Sequence, residues 1–275
     1  MPGAIILSAA LALAAHDHEP GLQQLQKRLS SDGYSISEYI GDPRFEIYEP
    51  RNGRAIDYSD TTEFWYLKND SIEKCADFAH WQGMWLEKAE KEYGVPPEYI
   101  VSELRLETRL GHYLGEHPAI NSLISKYLHR QGSSREFYYG EIKALLRDYK
   151  YFASDIFELP GSSSGAIGIM QFTPYFRRFD GDGRFDPFTM PDAIGSAANY
   201  LSRNGFRGDP RKAVYRYNPN DPYYAKAVTA HAEILKEKMK RREAEFMKSL
   251  KPLNRIMPKG VQMRMPQKSS IKSRH

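Results

Sequence analysis

A helical segment that is apolar on more than one face constrains the fold of this chain most. Between Pro97 and Leu110 the apolar positions cover more than one side of a helix, and they include Ile100, Val101, Leu104 and Leu106. Such a helix has to be surrounded by other elements, because only burial removes its apolar surface from water. Gly94 ends the preceding helical pattern, and the two prolines at 96 and 97 begin this one. The sequence therefore predicts a central helix inside a multi-helix protein.

Helical spacing of apolar residues continues along most of the chain. A short amphipathic stretch lies within residues 20–40, and the helical pattern resumes from about residue 71. A stretch rich in Gly, Ser, Asp and Pro lies between 158 and 190, and a connection of that length in a compact domain is usually functional. The predicted fold class is mainly α with little β structure. The later segments with helical spacing are 119–131, 135–151, 190–204, 211–216 and 222–245.

Glu107 interrupts the apolar stripe of the central helix. Ile100 and Leu104 lie one turn apart, and Glu107 occupies the next position on the same face. A buried carboxylate is costly unless it is paired or protonated, and burial raises its pKa so that it holds a proton near neutral pH. That property suits a general acid. Two alternatives stay open here: a structural ion pair with a neighbour such as Arg109, and use of Glu103, one turn earlier, as the functional carboxylate.

The two ends of the chain differ from its middle. Residues 3–15 form an apolar run that is too short to span a bilayer and that ends in a small-x-small pattern, as in a cleaved signal peptide. The residues after 235 are rich in Lys and Arg, although the net charge of the whole chain is only +4. The sequence divides into a signal peptide at 1–15, an N-terminal extension at 16–75, a main helical domain at 76–235 and a basic C-terminal tail at 236–275.

Composition excludes several classes of function. Cys75 is the one cysteine, so no intrachain disulfide can form, and no Cys–His group has zinc-ligand spacing. We expect Cys75 to be a small buried apolar residue. The basic tail is a candidate for contact with a membrane surface or an anionic wall polymer. It lacks the interleaved aromatic residues of a nucleic-acid binding segment, so we expect no nucleic-acid partner.

Several ordered motifs resemble those of one enzyme family, the lytic murein transglycosylases of the membrane-bound B type. The turn and helix that carry the catalytic glutamate of that family are similar to residues 93–115, YGVPPEYIVSELRLETRLGHYLG, and its ETR-x-G segment falls on Glu107 to Gly111. The resemblance covers about residues 42–235. The other matching segments are DPRFEIYEP at 42–50, GAIGIMQFTP at 165–174, DAIGSAANY at 192–200 and YNPNDPY at 217–223.

The resemblance implies a lysozyme-like helical catalytic domain that acts as a monomer on peptidoglycan glycan strands in the periplasm of a Gram-negative envelope. It implies cleavage between N-acetylmuramic acid and N-acetylglucosamine, with a 1,6-anhydromuramoyl product. Glu107 would act first as an acid and then as a base, without a second carboxylate. The substrate-binding residues that the resemblance implies are Ser162, Gln171, Tyr217, Asn218 and Tyr223.

An acidic loop with the sequence DGDGRFD at 180–186 resembles part of a calcium-binding loop. With Asp180 and Asp182 as the third and fifth ligands, the first ligand position falls on Arg178, which is a cation where a carboxylate belongs. Asp192 could supply the late acidic ligand only in a longer loop. These three aspartates are therefore weak metal candidates, and the sequence predicts an enzyme that works without a cofactor.

Two other functions fit the same residues. A hydrolytic muramidase on the same scaffold would need a water and a second carboxylate, for which Glu103, Asp182 and Asp186 are candidates. A non-catalytic protein that binds the cell wall could also share the fold.

Overall fold

Helices make up most of the residues that the computed structural model describes, which are 18–49, 66–174, 186–219, 221 and 223–253. Two very short strands, β1 (His117–Pro118) and β2 (Pro160–Gly161), pair antiparallel. The mainly α prediction is confirmed. The helices are α1 (18–31), α2 (Ser37–Ile40), α3 (Asn69–Trp81), α4 (Gly83–Tyr93), α5 (Pro97–Thr108), α6 (Ala119–His129), α7 (Gly132–Asp148), α8 (Met190–Arg203), α9 (Pro210–Tyr217) and α10 (Tyr224–Leu253), with 3-10 turns at Tyr149–Tyr151 and Ile156–Glu158.

Two of the predicted domain boundaries fall inside helices of the structure. The boundary at 75/76 lies within α3, because Ile72 and Cys75 pack into the same core as Ala76 and Ala79. The boundary at 235/236 lies within α10, so the first part of the predicted basic tail, up to residue 253, continues that helix. The predicted signal peptide at 1–15 and the end of the tail lie outside the described residues.

None of the helices that the structure describes combines the length and the apolar character that crossing a membrane requires.

Two hydrophobic clusters form the interior. The first cluster surrounds α5 with α3, α4, α8, α9 and α10, and Ile100 and Leu104 of α5 have no exposed surface. The second cluster joins α1 and α2 to α6 and α7. We call residues 160–172 the site loop. This loop contributes to both clusters, since Ile167 packs in the second and Met170 packs in the first, and it is therefore held from two sides.

Polar contacts inside the first cluster fix α10 against its neighbours. His231 of α10 places Nδ1 2.7 Å from Ser102 Oγ of α5 and Nε2 3.6 Å from Cys75 Sγ of α3, and all three residues are buried. Ser102 Oγ donates to Glu98 O at 2.6 Å, so His231 Nδ1 has to donate to Ser102, and its Nε2 can accept from the thiol. Burial lowers the pKa of His231 to about 4 and keeps the ring neutral. The buried position predicted for Cys75 is confirmed.

Gly168 of the site loop offers a test of how closely this loop packs against Pro187. Its φ is +74°, and a Cβ atom there would lie 2.4 Å from Pro187 O. Gly168→Ala should therefore lower the free energy of unfolding by roughly 1–3 kcal/mol, measured by chemical denaturation. Gly195→Ala is the matched control, because Gly195 lies within α8 with no atom within 4 Å of the added Cβ. The control should raise stability by up to about 1 kcal/mol. Stabilisation by both changes would contradict the described loop geometry.

Candidate active site

Glu107 lies in the last turn of α5, where the helix passes into left-handed backbone. Arg109 has φ +53°, and Gly111 follows at +88°. Thr108 Oγ1 donates to Ile169 O of the site loop at 2.8 Å and accepts from Gly111 N at 3.0 Å. These bonds attach the end of α5 to the site loop, so the position of Glu107 is set by both elements.

Tyr224, the first residue of α10, bridges two carboxyl groups of α5. Its hydroxyl oxygen lies 2.5 Å from Glu107 Oε1 and 2.6 Å from Glu103 Oε2. A hydroxyl has one hydrogen and donates it to one acceptor, so the other contact requires a protonated carboxyl group that donates to the tyrosine oxygen. At least one of the two glutamates therefore carries a proton.

Glu103 is the glutamate that keeps its proton. Its side chain has no exposed surface, and within the described residues its Oε1 has no hydrogen-bond partner. Burial raises the pKa of Glu103 well above its usual range; the contact with Tyr224 opposes this rise, and the nearby Glu107 adds to it. An ionised carboxylate with an unpaired oxygen would be costly in this position. Glu103 thus donates to Tyr224, and Tyr224 donates to Glu107.

Glu107 is the more exposed of the two carboxyl groups. Its side chain is half-buried, whereas that of Glu103 has no exposed surface. This difference favours Glu107 over Glu103, the two carboxylates that the sequence left open. Burial raises the pKa of Glu107 to about 7, against the lowering effect of the hydrogen bond from Tyr224. A partly exposed carboxyl group that is protonated near neutral pH has the property of a general acid.

The alternative of a structural ion pair is not what the structure shows. In the part of the chain that it describes, the polar partner of Glu107 is Tyr224 and no arginine pairs with it. Arg105, on the same helix, donates from Nε to Ser71 Oγ at 2.8 Å.

Gln171 occupies a strained position in the site loop. Its φ is +50°, which is uncommon for a residue other than glycine and is often associated with functional sites. Its side-chain Nε2 donates to Leu114 O at 3.2 Å and to Gly168 O at 3.0 Å. Both amide hydrogens are thereby used within the protein, so the carbonyl oxygen of the half-buried side chain is the group left for a ligand.

Tyr217 and Asn218 lie together at the end of α9. The hydroxyl of Tyr217 donates to Met170 O of the site loop rather than to Glu107. Its ring lies parallel to that of Tyr224, with 6.0 Å between the ring centres. Asn218 ends the helix with a half-buried side chain. The structure therefore brings Tyr217 to Tyr224 and to the site loop.

Ser162 and Tyr223 are not hydrogen-bonded to Glu107 within the described residues. Ser162 Oγ accepts from Ser164 N at 3.2 Å and from Ala166 N at 3.1 Å, which closes a turn of the site loop. Tyr223 is 44% exposed. The substrate-binding roles of Ser162, Gln171, Tyr217, Asn218 and Tyr223 stay predictions.

Asp192 organises the start of α8. Its Oδ2 accepts from Asp186 N at 2.8 Å and from Thr189 Oγ1 at 3.1 Å. These bonds hold the turn that precedes α8 against the first turn of the helix. The other two metal candidates, Asp180 and Asp182, lie outside the described residues, as does Arg178.

Tyr224 is the partner of Glu107 that the sequence interpretation missed. The motif comparison selected its neighbour Tyr223, which is exposed, whereas Tyr224 is 1% exposed. Helical spacing could have identified Tyr224 as the buried tyrosine of the pair, because Tyr224, Val228 and Leu235 share one buried face of α10.

The chain is similar in sequence to known transglycosylases. The family described as Transglycosylase SLT domain matches residues 56–271. Membrane-bound lytic murein transglycosylase B of Escherichia coli (strain K12) is 32% identical over 150 residues, which cover 52% of this chain and 41% of that protein. The matched region thus spans about two fifths of the length of that relative.

Solved structures share the fold. Catenated lytic transglycosylase SltB1 from Pseudomonas aeruginosa has a TM-score of 0.67 and 21% identity, with 80% of this chain and 98% of that chain covered. SltB3 from Pseudomonas aeruginosa, in complex with NAG-anhNAM-pentapeptide, has a TM-score of 0.60 and 18% identity, with 80% and 79% covered. The predicted lysozyme-like transglycosylase fold is confirmed.

The hydrogen bond between Tyr224 and Glu107 predicts a shift in pH dependence. That bond lowers the pKa of Glu107, so Tyr224→Phe should raise it above about 7. A general acid acts while protonated, so activity should decline as pH rises through this pKa, and in the variant the decline should move to higher pH. The maximal rate should fall roughly ten- to a hundredfold, because the bond stabilises ionised Glu107. The measurement is the pH profile of glycan cleavage.

Tyr39→Phe is the control for this variant. It also removes a hydrogen-bonded phenol, 3.0 Å from the hydroxyl of Tyr149, but in the second cluster. Its pH profile should match that of the unmodified protein. An unchanged profile for Tyr224→Phe would show that this hydroxyl does not set the pKa of Glu107.

Proposed function

The chain belongs to the transglycosylase SLT domain family, and from this membership we propose that it is a peptidoglycan lytic transglycosylase. The bond cleaved is the one between N-acetylmuramic acid and N-acetylglucosamine. The single observation that carries the proposal is Glu107, a partly exposed carboxyl group whose pKa is raised to about 7 at the end of a buried helix. The complex of SltB3 with NAG-anhNAM-pentapeptide supports a glycan substrate of this kind.

In the first step, protonated Glu107 gives its proton to the glycosidic oxygen, and the bond to the muramoyl anomeric carbon breaks. The resulting carboxylate accepts the hydrogen bond of Tyr224, which stabilises the charge that has just formed. Positive charge develops on the muramoyl ring, and the acetamido oxygen of the substrate stabilises it.

In the second step, ionised Glu107 takes the proton of the muramoyl C6 hydroxyl while that oxygen attacks the anomeric carbon. The product is a 1,6-anhydromuramoyl end, and no water is consumed. The same carboxyl group acts first as an acid and then as a base, so it returns to its protonated form.

The position of Glu103 favours this reaction over hydrolysis. Hydrolytic glycosidases place a second carboxyl group beside the sugar, either as a nucleophile or to activate a water. Glu103 has no exposed surface and bonds to Tyr224, so it is not available for that role. Asp186 is another candidate for the second carboxylate of a hydrolytic enzyme. Its Oδ1 accepts a hydrogen bond from Phe188 N at 2.9 Å in the turn before α8.

The proposed binding residues surround the acid. Gln171 orients the acetamido group through its side-chain carbonyl oxygen, and Asn218 does so through its amide. Tyr217 and Tyr223 stack on sugar faces. Ser162 contributes through its hydroxyl hydrogen, since its oxygen already accepts two backbone donors. The chemistry is acid–base catalysis by Glu107 and requires no cofactor.

The cellular setting is part of the same proposal. The protein is exported through residues 1–15 to the periplasm of a Gram-negative envelope, where peptidoglycan lies. It acts as a monomer on glycan strands, with the basic tail in weak contact with the wall or a membrane surface, and without a nucleic-acid partner.

Substitution of the two glutamates separates their roles. Glu107→Gln removes the acid while keeping its shape, and release of anhydromuropeptides from purified sacculi should fall by at least about a hundredfold. Glu103→Gln is the matched control, because its amide can still donate to Tyr224, and its rate should stay within roughly fivefold of the original. Product masses distinguish the reactions, since hydrolysis adds a water. A near-normal rate for Glu107→Gln, or hydrated products, would contradict the proposal.

A further inference from the structure

Three side chains outside the proposed active site converge on one point. They are His18 of α1, Glu49 and His129 of the last turn of α6, and their ligand atoms all lie within 4.8 Å of one another. Glu49 Oε1 is 3.6 Å from His18 Nε2, and Glu49 Oε2 is 3.4 Å from His129 Nε2. Atoms that share one zinc ion at tetrahedral positions are about 3.3 Å apart, given bonds of about 2.0–2.1 Å.

His129 is oriented as a metal ligand. Its Nδ1 lies 2.8 Å from Ser125 O, a carbonyl that can only accept, so Nδ1 carries a hydrogen, and Nε2 is the nitrogen that carries the lone pair in the neutral ring. Nε2 is buried and has no hydrogen-bond partner among the described residues. A histidine that binds a metal usually donates its other ring nitrogen to such a carbonyl, which fixes the tautomer and the ring orientation.

The same turn of α6 also positions Glu49. Ser125 Oγ accepts from Tyr48 N at 2.8 Å, and Asn121 Nδ2 donates to Arg44 O at 2.8 Å. These two bonds hold the chain that leads to Glu49 against α6. Ser125 therefore aligns His129 through its carbonyl and the neighbour of Glu49 through its hydroxyl.

His18 completes the group from a third segment. Its ring meets that of His129 edge-on, with 4.8 Å between the ring centres. Both imidazoles are mostly buried, at 20% and 16% exposure, whereas Glu49 is 73% exposed. The group is thus closed on the protein side and open to water on the other.

We propose that His18, Glu49 and His129 bind one zinc ion, with water as the fourth ligand. Two imidazole nitrogens and a carboxylate oxygen form a ligand set that zinc accepts readily. The alternative is an ion pair of Glu49 with protonated histidines, but neither contact forms a hydrogen bond, so it explains the convergence less well. The ion would join α1, residues 42–49 and α6, and it would act on stability and not on glycan cleavage.

Zinc titration of the full-length, untagged, chelator-treated protein tests the site. Isothermal calorimetry should show saturable binding of one zinc ion per chain, and zinc should raise the melting temperature. His129→Gln and Glu49→Gln should each weaken binding by about tenfold or more, and both should lose most of the melting shift. Glu49 is exposed, so its variant keeps the fold even if His129→Gln does not. His80→Gln, which removes an exposed histidine of α3, should bind zinc as the unmodified protein does.

Two results would overturn the proposal. One is an unmodified protein that shows neither saturable zinc binding nor a melting shift. The other is Glu49→Gln and His129→Gln proteins that bind zinc as tightly as the original, which would place the ion elsewhere. Neither result bears on glycan cleavage, so the zinc site and the proposed function fail independently.

Discussion

One phenolic hydroxyl, that of Tyr224 between two carboxyl groups, makes the contacts on which the rest of the site depends. Tyr224 can donate to Glu107 only because buried Glu103 retains a proton and donates to the tyrosine oxygen. This order gives one glutamate a structural role and leaves the other open to a substrate. It requires α10 to lie firmly against α5, which the buried contact of His231 with Ser102 provides.

The site loop supplies the other side of the arrangement. Two consecutive carbonyls of this loop, those of Ile169 and Met170, accept from Thr108 and Tyr217 respectively. The catalytic helix and the end of α9 are thereby attached to the same short stretch of backbone. The site loop also packs into both hydrophobic clusters. A substitution that repacks either cluster should therefore shift the position of Glu107.

Sequence patterns predicted the helices and the acid, because both leave local signals. Apolar spacing placed the central helix at 97–110, against Pro97–Thr108 in the structure. The interruption of its stripe indicated Glu107 but left Glu103 open, and the resemblance of the ETR-x-G segment favoured Glu107. The partner of Glu107 was missed because Tyr223 and Tyr224 are adjacent and only their burial separates them. The zinc site has no local signal at all, since His18, Glu49 and His129 come from distant segments and meet only through packing on α6.

The central claim is that burial keeps Glu107 protonated near neutral pH, against the lowering effect of the hydrogen bond from Tyr224. The most direct test follows the side-chain carboxyl carbons of ¹³C-labelled glutamate by NMR as a function of pH, with the Glu107 resonance identified by its loss in Glu107→Gln. The account predicts that this carboxyl group titrates with a pKa of about 7 in the folded protein. Titration near the ordinary glutamate value of 4.5 would contradict it, because Glu107 would then be ionised when it has to give up a proton.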